Sequence, residues 1–436
     1  MKSRAALWTT VHNAIRNSDK GRTMKQYFHI INDPRFRLVY HEHRLFGDGP
    51  SPKKIRLNRE GFTIVPGVKK KTMVYPGMLL AEHPSLEKGD LHAPIYGMIT
   101  EINARSVFVE AVNLEEVEPG AFPAPMEPVD LLKEGTEGEE LILAVKKLGV
   151  NTRSLGRRVK TLIVNGLNPE PGVRWAEPML VEHAAEIRAG LELQRRFRRA
   201  EEIILAVPAG CKVKLSGVRT VEVDPMYPNS VNELLIKEVT GEENPPDVAA
   251  VGMHNVWSLG RVALTGLPLM ETVITIGTAK DWGNYIVKNG SIVGELLEFT
   301  GISLKSGDTI LRGGPLRGES LDRLDRSITK GAYGFFVVNA GEVPPIEGDS
   351  PCINCGACIQ ICPTRIDPRM LSRYAEFGRY DMSRKENFRL CVDCGLCGYV
   401  CIARRPVLQY IRLAVKKLEE EERLSRLTPI EPVAKG

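Results

Sequence analysis

The sequence predicts a multidomain protein of α/β plus β class: a small all-β module, an open α/β domain, a compact α+β module and a C-terminal helical domain built around cysteines. Three observations carry this. Short apolar alternations broken by Pro-Gly turns fill residues 53–112, a strand–helix alternation follows a Pro- and Glu-rich linker, and eight of the nine cysteines crowd between Cys352 and Cys401.

Residues 1–50 are polar with scattered aromatics and turn signals at Asn32-Asp33-Pro34 and Gly47-Asp48-Gly49-Pro50, and they read as an N-terminal extension. Residues 51–114 form the all-β module, with runs such as Phe62-Thr63-Ile64-Val65 and Ser106-Val107-Phe108-Val109 separated by Pro66-Gly67, Pro76-Gly77 and Gly97. His83 and His92 fall here without cysteine or carboxylate partners at ligand spacing, so they read as core or surface histidines. The linker Glu115 to Glu127 closes the module.

Over 128–270 the candidate strands are Thr161–Val164, Ile203–Val207 and Val248–Val251, and the candidate helices are Met179–Arg198, Val231–Val239 and Trp257–Thr265. An open α/β sheet follows from that alternation. Cys211 stands apart from the other cysteines in the alternating segment Cys211-Lys212-Val213-Lys214-Leu215, and reads as a buried strand thiol. A further strand at Thr272–Ile276 opens an α+β module over 271–325, with a short helix in Gly294–Gly301 and a strand ending at Gly313-Gly314-Pro315.

The last domain spans 340–428. Asp367-Pro368 is an N-cap followed by proline at N1, and Leu371, Tyr374 and Phe377 then recur at helical spacing. Pro406 opens a second helix with Val407, Leu408, Ile411, Ala414, Val415 and Leu418 on one face. These helices frame two cysteine runs, Cys352-x2-Cys355-x2-Cys358-x3-Cys362-Pro363 and Cys391-x2-Cys394-x2-Cys397-x3-Cys401.

Both runs have the spacing of bacterial ferredoxins, in which three closely wound cysteines hold one iron–sulfur cube while the fourth is carried to the other. The expected ligand sets are therefore Cys352, Cys355, Cys358 and Cys401 for one [4Fe–4S] cluster, and Cys391, Cys394, Cys397 and Cys362 for the second. Zinc is the alternative, but it takes four ligands in all, and eight cysteines at this spacing match clusters better. Gly356, Gly395 and Gly398 let backbone N–H groups approach the sulfurs. In the second run Ile402 replaces the usual proline, and Arg404-Arg405 follow. Two readings stand for these arginines: cations that favour the reduced cluster and raise its potential, or surface residues facing water.

The net charge of +5 is mild and its basic residues are mixed with acidic ones, so no nucleic-acid partner is indicated, while an acidic redox partner or anionic lipid stays open. No apolar stretch approaches the roughly 20 residues of a membrane-spanning helix, and the N-terminus lacks a signal-type apolar core. The chain is expected in the cytoplasm.

Several motifs, in this order, resemble the C subunit of the Rnf complex, the RnfC family, over nearly the whole chain. Leu91-His92-Ala93-Pro94-Ile95-Tyr96-Gly97 resembles the family's "HAPVSG" hairpin, Asn165-Gly166-Leu167-Asn168-Pro169-Glu170-Pro171 its "NGAECEP", Tyr227-Pro228-Asn229-Ser230 its "YPQG", and Gly313–Gly318 its "GGPMMG". The resemblance implies an N-terminal barrel-sandwich hybrid of lipoyl-like fold, without a lysine for lipoylation. It also implies an α/β domain similar to the NADH-oxidising flavoprotein subunit of complex I, then an SLBB β-grasp module and the dicluster ferredoxin-like domain. The implied role is an electron-transfer subunit, peripheral on the inner face of the cell membrane. It would pass single electrons between a soluble carrier (ferredoxin, NADH or another redox protein) and membrane subunits of a translocase.

One departure bears on cofactors. Where FMN- and NADH-binding relatives carry "GLGGAGFPT", this chain has Leu148 to Arg158 with only Gly149 and Gly156, and the cationic trio Arg153, Arg157 and Arg158. Two isolated glycines do not predict a phosphate cradle, which counts against FMN and against NADH oxidation by this chain alone. Asn165 and Glu170 are what remains of an FMN/NADH lining, and Glu170 reads first as a structural turn residue. A soluble flavin-dependent reductase resembling cobalamin reductase is the second hypothesis, opposed by the module order. A non-redox scaffold is the third, opposed by the pairing of two clusters where one would serve as a staple.

Overall fold

The computed structural model describes residues 38, 40 and 46–427, apart from 134, 154, 156, 279 and 341–349. Most of the extension read over 1–50 thus lies outside the described residues. Two compact units divide the chain, Ile30–Ala340 and the cysteine-bearing unit from Gly341 onward.

The first unit begins with strand β1 (Phe46–Asp48) and a small sandwich of β2 (Lys54–Asn58), β3 (Thr63–Ile64), β4 (Met73–Val74), β5 (Leu79–Glu82), β6 (Leu91–His92), β7 (Gly97–Ile102) and β8 (Ser106–Ala111). One sheet runs β2-β8-β7-β4 and the other β3-β5-β6. Alternation decides which side chains meet between them: Ile55 and Leu57 of β2 turn inward with Leu80, Ile99, Val107 and Val109, while Lys54 and Asn58 face water.

Next come α1 (Gly138–Lys147), β9 (Thr161–Asn165), α2 (Ala176–Glu182), α3 (Ala184–Arg198), β10 (Glu202–Pro208), β11 (Arg219–Val223), α4 (Asn232–Thr240), β12 (Val248–Gly252) and α5 (Met253–Thr265). The four strands form a parallel sheet in the order β11-β10-β9-β12. The continuous apolar runs of β9 and β10 suit strands covered on both faces.

The single helix predicted over Met179–Arg198 is interrupted at His183, which has φ −117° and ψ 33°. Its ring packs edge-on against Phe46 at 5.4 Å and Trp257 at 6.2 Å, and its Nδ1 lies 3.1 Å from the Glu186 carboxylate. Tertiary packing overrides the helical periodicity there. The segment expected to hold Cys211 on a strand is a loop between β10 and β11, because the Pro208-Ala209-Gly210 turn ends β10 and the next ladder starts only at Arg219. The thiol is nonetheless buried.

Helices α3 and α5 touch backbone to backbone. A Cβ on Gly260 would lie 1.6 Å from the Glu186 carbonyl oxygen, and one on Gly190 2.0 Å from that of Val256. Gly260→Ala must therefore push the helices apart. It is expected to cost about 1–3 kcal/mol, read as a lower urea midpoint in tryptophan fluorescence, for which Trp257 sits one turn away on α5.

The third sheet runs β1-β14-β13-β17-β15-β16, from β13 (Glu271–Gly277), β14 (Trp282–Lys288), β15 (Thr309–Arg312), β16 (Glu319–Leu321) and β17 (Gly334–Val338), with α6 (Val293–Phe299) packed on its core. It therefore draws on Gly334–Val338, past residue 325, and on β1, which pairs with β14 in parallel.

Two histidines of this unit, His92 buried and His254 half-buried, are held neutral. His254 lies 2.8 Å from the Thr272 hydroxyl and burial pushes its ring down to about 4; burial, then Lys330, pushes His92 down to about 3. In the unfolded chain each ring takes up a proton near pH 6.5. Their stabilisation is therefore complete above about pH 6.5 and is lost as pH falls towards the folded values, at about 1.4 kcal/mol per pH unit for each ring. The denaturation midpoint is expected to fall between about pH 6.5 and pH 4, and His254→Gln should make that slope shallower.

The second unit holds α7 (Ala357–Ile361), α8 (Pro368–Glu376), α9 (Tyr380–Lys385), α10 (Leu396–Tyr399) and α11 (Val407–Leu427). Asp367 caps α8 as its sequence indicates, accepting the Met370 N–H at 3.0 Å. Ile366, Leu371, Phe388, Val407, Leu408, Ile411 and Leu418 form a core that also contains Cys397.

Candidate metal centre

The two cysteine runs adopt the same backbone path. The residue before the second cysteine is left-handed in each (Asn354, φ 63°; Asp393, φ 53°), and so is the glycine after it (Gly356, φ 75°; Gly395, φ 80°). Asn, Asp and Gly are the residue types that tolerate this region. The chain coils tightly past two cysteines and enters a short helix, α7 or α10, which carries the third. The fourth, Cys362 or Cys401, lies just beyond that helix.

Two cavities result. The first is lined by Cys352, Cys355 and Cys358 together with Cys401, and the second by Cys391, Cys394 and Cys397 together with Cys362. The wall of each thus includes a cysteine of the other run. Among the described residues no three His, Cys, Asp or Glu side chains converge as ligands of a single metal ion. Four cysteines line each cavity, the number that the corners of one cubane cluster would need. Burial pushes the Cys358 thiol up to about 11 and Cys394 up to about 12, and raises Cys391 and Cys397 as well. Iron binding at these positions has to displace protons.

Arg405 does not face water. It is 5% exposed, forms a double ion pair with Glu376 (2.5 and 3.2 Å), donates to the Ser350 carbonyl at 2.9 Å, and lines the first cavity. Its backbone N–H lies 3.4 Å from the Cys401 sulfur. Arg369 and Ser372, which cysteine spacing alone does not reveal, line the same cavity. A signal for them is present in the sequence: with the two runs laid in register, Arg369 falls opposite Leu408 and Ser372 opposite Ile411.

Residues 351–404 match the family model described as a 4Fe-4S dicluster domain. The chain is 25% identical over 414 residues to the C subunit of the ion-translocating oxidoreductase complex of Rhodobacter capsulatus, covering 86% of this chain and 79% of the relative. It is 24% identical over 272 residues to the protein of the same name from Buchnera aphidicola, covering 58% of each. The chain is thus a homologue of these C subunits, the RnfC proteins, at 24–30% identity. It spans 58% of the length of the Buchnera relative and 58% of a Haemophilus influenzae one. A chain of an NAD+-reducing [NiFe]-hydrogenase is similar at 12% identity and a TM-score of 0.39, over 70% of this chain and 63% of that one, too slight a likeness to carry an argument.

In this RnfC homologue, the residues that stand for the family's FMN and NADH motifs are committed to other bonds. Glu170 is fully buried, and its carboxylate accepts from the backbone N–H groups of Gly314 (2.8 Å), Leu316 (2.9 Å) and Arg317 (3.1 Å) and from the Tyr333 hydroxyl (2.6 Å). A Cβ on Gly314 would stand 2.1 Å from the Glu170 carboxyl carbon, so the glycine is needed for this close approach. Burial and the Glu170 carboxylate hold the Tyr333 hydroxyl protonated well above its ordinary range. The Asn165 amide donates to the Ser230 carbonyl and Asn232 and accepts from the Leu167 N–H.

The loop that would cradle a phosphate is closed onto the β-sandwich. Gly149 N–H donates to the Lys146 carbonyl, Val150 N–H to Val145, and Thr152 N–H to Glu87, while Lys330 donates to the Gly149 carbonyl at 2.8 Å. The Cα of Gly89 sits so close that a Cβ there would be 2.2 Å from the Gly149 carbonyl carbon. The described residues of this loop do not fit a flavin phosphate.

Proposed function

We propose that this protein is the electron-transfer subunit of an Rnf-like membrane-associated complex. It would hold two [4Fe–4S] clusters, one on Cys352, Cys355, Cys358 and Cys401 and the other on Cys391, Cys394, Cys397 and Cys362. The observation that carries this reading is the reciprocal lining of the two cavities, because cysteines exchanged between runs hold two redox groups side by side. Each cluster would accept and release one electron; the chain would supply the thiolates and fix the separation. FMN has no part in this path, because the described residues of the 148–158 loop form no phosphate cradle.

The relatives are named as members of an ion-translocating oxidoreductase complex. The partner class that follows for this chain is the membrane subunits of such a complex, with a soluble redox carrier on the other side. Among the described residues no helix is long and apolar enough to cross a membrane, so attachment would be through those subunits, at the inner face of the cell membrane. On the same reading residues 51–114 are the barrel-sandwich hybrid, 128–270 the flavoprotein-like α/β domain and 271–325 the SLBB module.

A tagged chain isolated anaerobically from its own host tests this. Co-purification with integral-membrane proteins, and bleaching of the clusters by a reduced low-potential one-electron carrier, are expected. Recovery alone, with one FMN per chain and clusters reduced by NADH, would favour the soluble reductase instead.

A further inference from the structure

The two cavities are built from equivalent positions, which allows a comparison residue by residue. With Cys352 set against Cys391 and Cys362 against Cys401, every wall residue except Ala357 of the first cavity and Pro363 of the second has a counterpart in the other. Three pairs differ in kind: Arg369 faces the first cavity where Leu408 faces the second, Ser372 answers to Ile411, and Arg405 answers to Ile366. One polar side chain runs the other way, Thr364 of the second cavity, whose hydroxyl is 3.5 Å from the Cys362 sulfur and whose counterpart is Ala403.

Arg369 has a particular geometry. Its Nη1 donates to the Asn354 amide oxygen and its Nη2 to the Asp367 carboxylate, both at 2.8 Å, which fixes the plane of the guanidinium. Its Nε is sealed from water and has no hydrogen-bond partner. A buried N–H without an acceptor is destabilising, and a cluster sulfur is the acceptor this cavity would contain. Beside the second cavity, the position of Asn354 is taken by Asp393, an anion, whose carboxylate receives the Arg412 Nε at 2.6 Å. There the guanidinium edge is occupied and a carboxylate stands in the ligand loop.

We propose that the two clusters are electrostatically inequivalent, that the one on Cys352, Cys355, Cys358 and Cys401 is reduced first, and that Arg369 helps to set the difference by donating its Nε–H to a sulfur of that cluster. This rests on the two-cluster reading above. One-electron reduction adds negative charge to the cube, and N–H donors and cations stabilise that charge while an apolar wall does not. The counter-ions Asp367 and Glu376 oppose the effect, and Asp367 is close enough to act on the Cys358 thiol. It is the guanidinium groups, however, that line the cavity. Cys355 is exposed, whereas Cys394 and Cys397 are buried, so the first cluster is also the better hydrated.

The test is a reductive titration of the anaerobic full-length protein followed by EPR, on wild type and Arg369→Leu. Leucine is chosen because the equivalent helix start already carries Leu408. Two separate one-electron waves are expected in the wild type; in the variant the higher wave moves down towards the lower, which stays in place. Arg369→Lys, with its charge but without Nε–H, should give a smaller move. Should Arg369→Leu fail to assemble, wild-type protein labelled with 15N in the arginine guanidinium groups serves instead: a 15N coupling is expected on the cluster reduced first. A single unresolved wave, movement of the lower wave, two unmoved waves or a 15N coupling confined to the cluster reduced last would each overturn the proposal. Iron assay on the same samples separates this from failure of the two-cluster reading, which would show as fewer than about eight irons in the wild type.

Discussion

Cys401→Ala is expected to destroy the cluster of the first cysteine run while leaving that of the second. The residue lies in the second run by sequence, yet its side chain lines the cavity of Cys352, Cys355 and Cys358. Loss of one thiolate leaves a cube with three protein ligands and an open corner, which is expected to lower iron from about eight to about four per chain, or to leave a damaged cluster. Cys401→Ala and Cys352→Ala should therefore give the same EPR spectrum, and Cys362→Ala and Cys391→Ala a different shared one. If Cys401→Ala paired instead with Cys391→Ala, the exchange of fourth ligands would be wrong.

Glu170→Ala is expected to be the most destabilising single substitution outside the cysteine domain. Three N–H groups and the Tyr333 hydroxyl converge on that one buried carboxylate, and alanine would leave them all without an acceptor. Removing one side of a buried charged network costs roughly 3–5 kcal/mol. The urea midpoint reported by Trp175, Trp257 and Trp282 should fall accordingly. If Glu170→Ala unfolded at the wild-type midpoint, the carboxylate would not be holding the Gly313–Gly318 loop to the α/β domain.

The gathering of the eight cysteines around two cavities was legible because ferredoxin-type spacing is local, whereas the short helices that carry the third cysteines were not foreseen. The cap at Asp367 and the parallel strands β9, β10 and β12 were legible for a similar reason: a side-chain hydrogen bond three residues along, or an apolar run, is written in adjacent residues. What was not legible depends on contacts across long stretches of chain. The pairing of Phe46–Asp48 with Trp282–Lys288, the break at His183 and the burial of Arg405 against Glu376 are decided by partners far along the sequence.

Glu170 shows how a short motif leaves a residue's partners unread. Its sequence suggested a turn residue or a nicotinamide contact, whereas its bonds reach the Gly314 loop and Tyr333, which no local pattern reveals. Gly149 likewise resembles the remnant of a nucleotide loop, but its carbonyl is held by Lys330 and its backbone abuts Gly89.

The most direct measurement is Mössbauer and EPR spectroscopy of the dithionite-reduced, oxygen-free protein with parallel metal analysis. Two magnetically interacting [4Fe–4S] centres and about eight irons per chain are expected. Zinc in the cysteine cavities, or one isolated cubane with about four irons, would contradict the paired-cluster assignment.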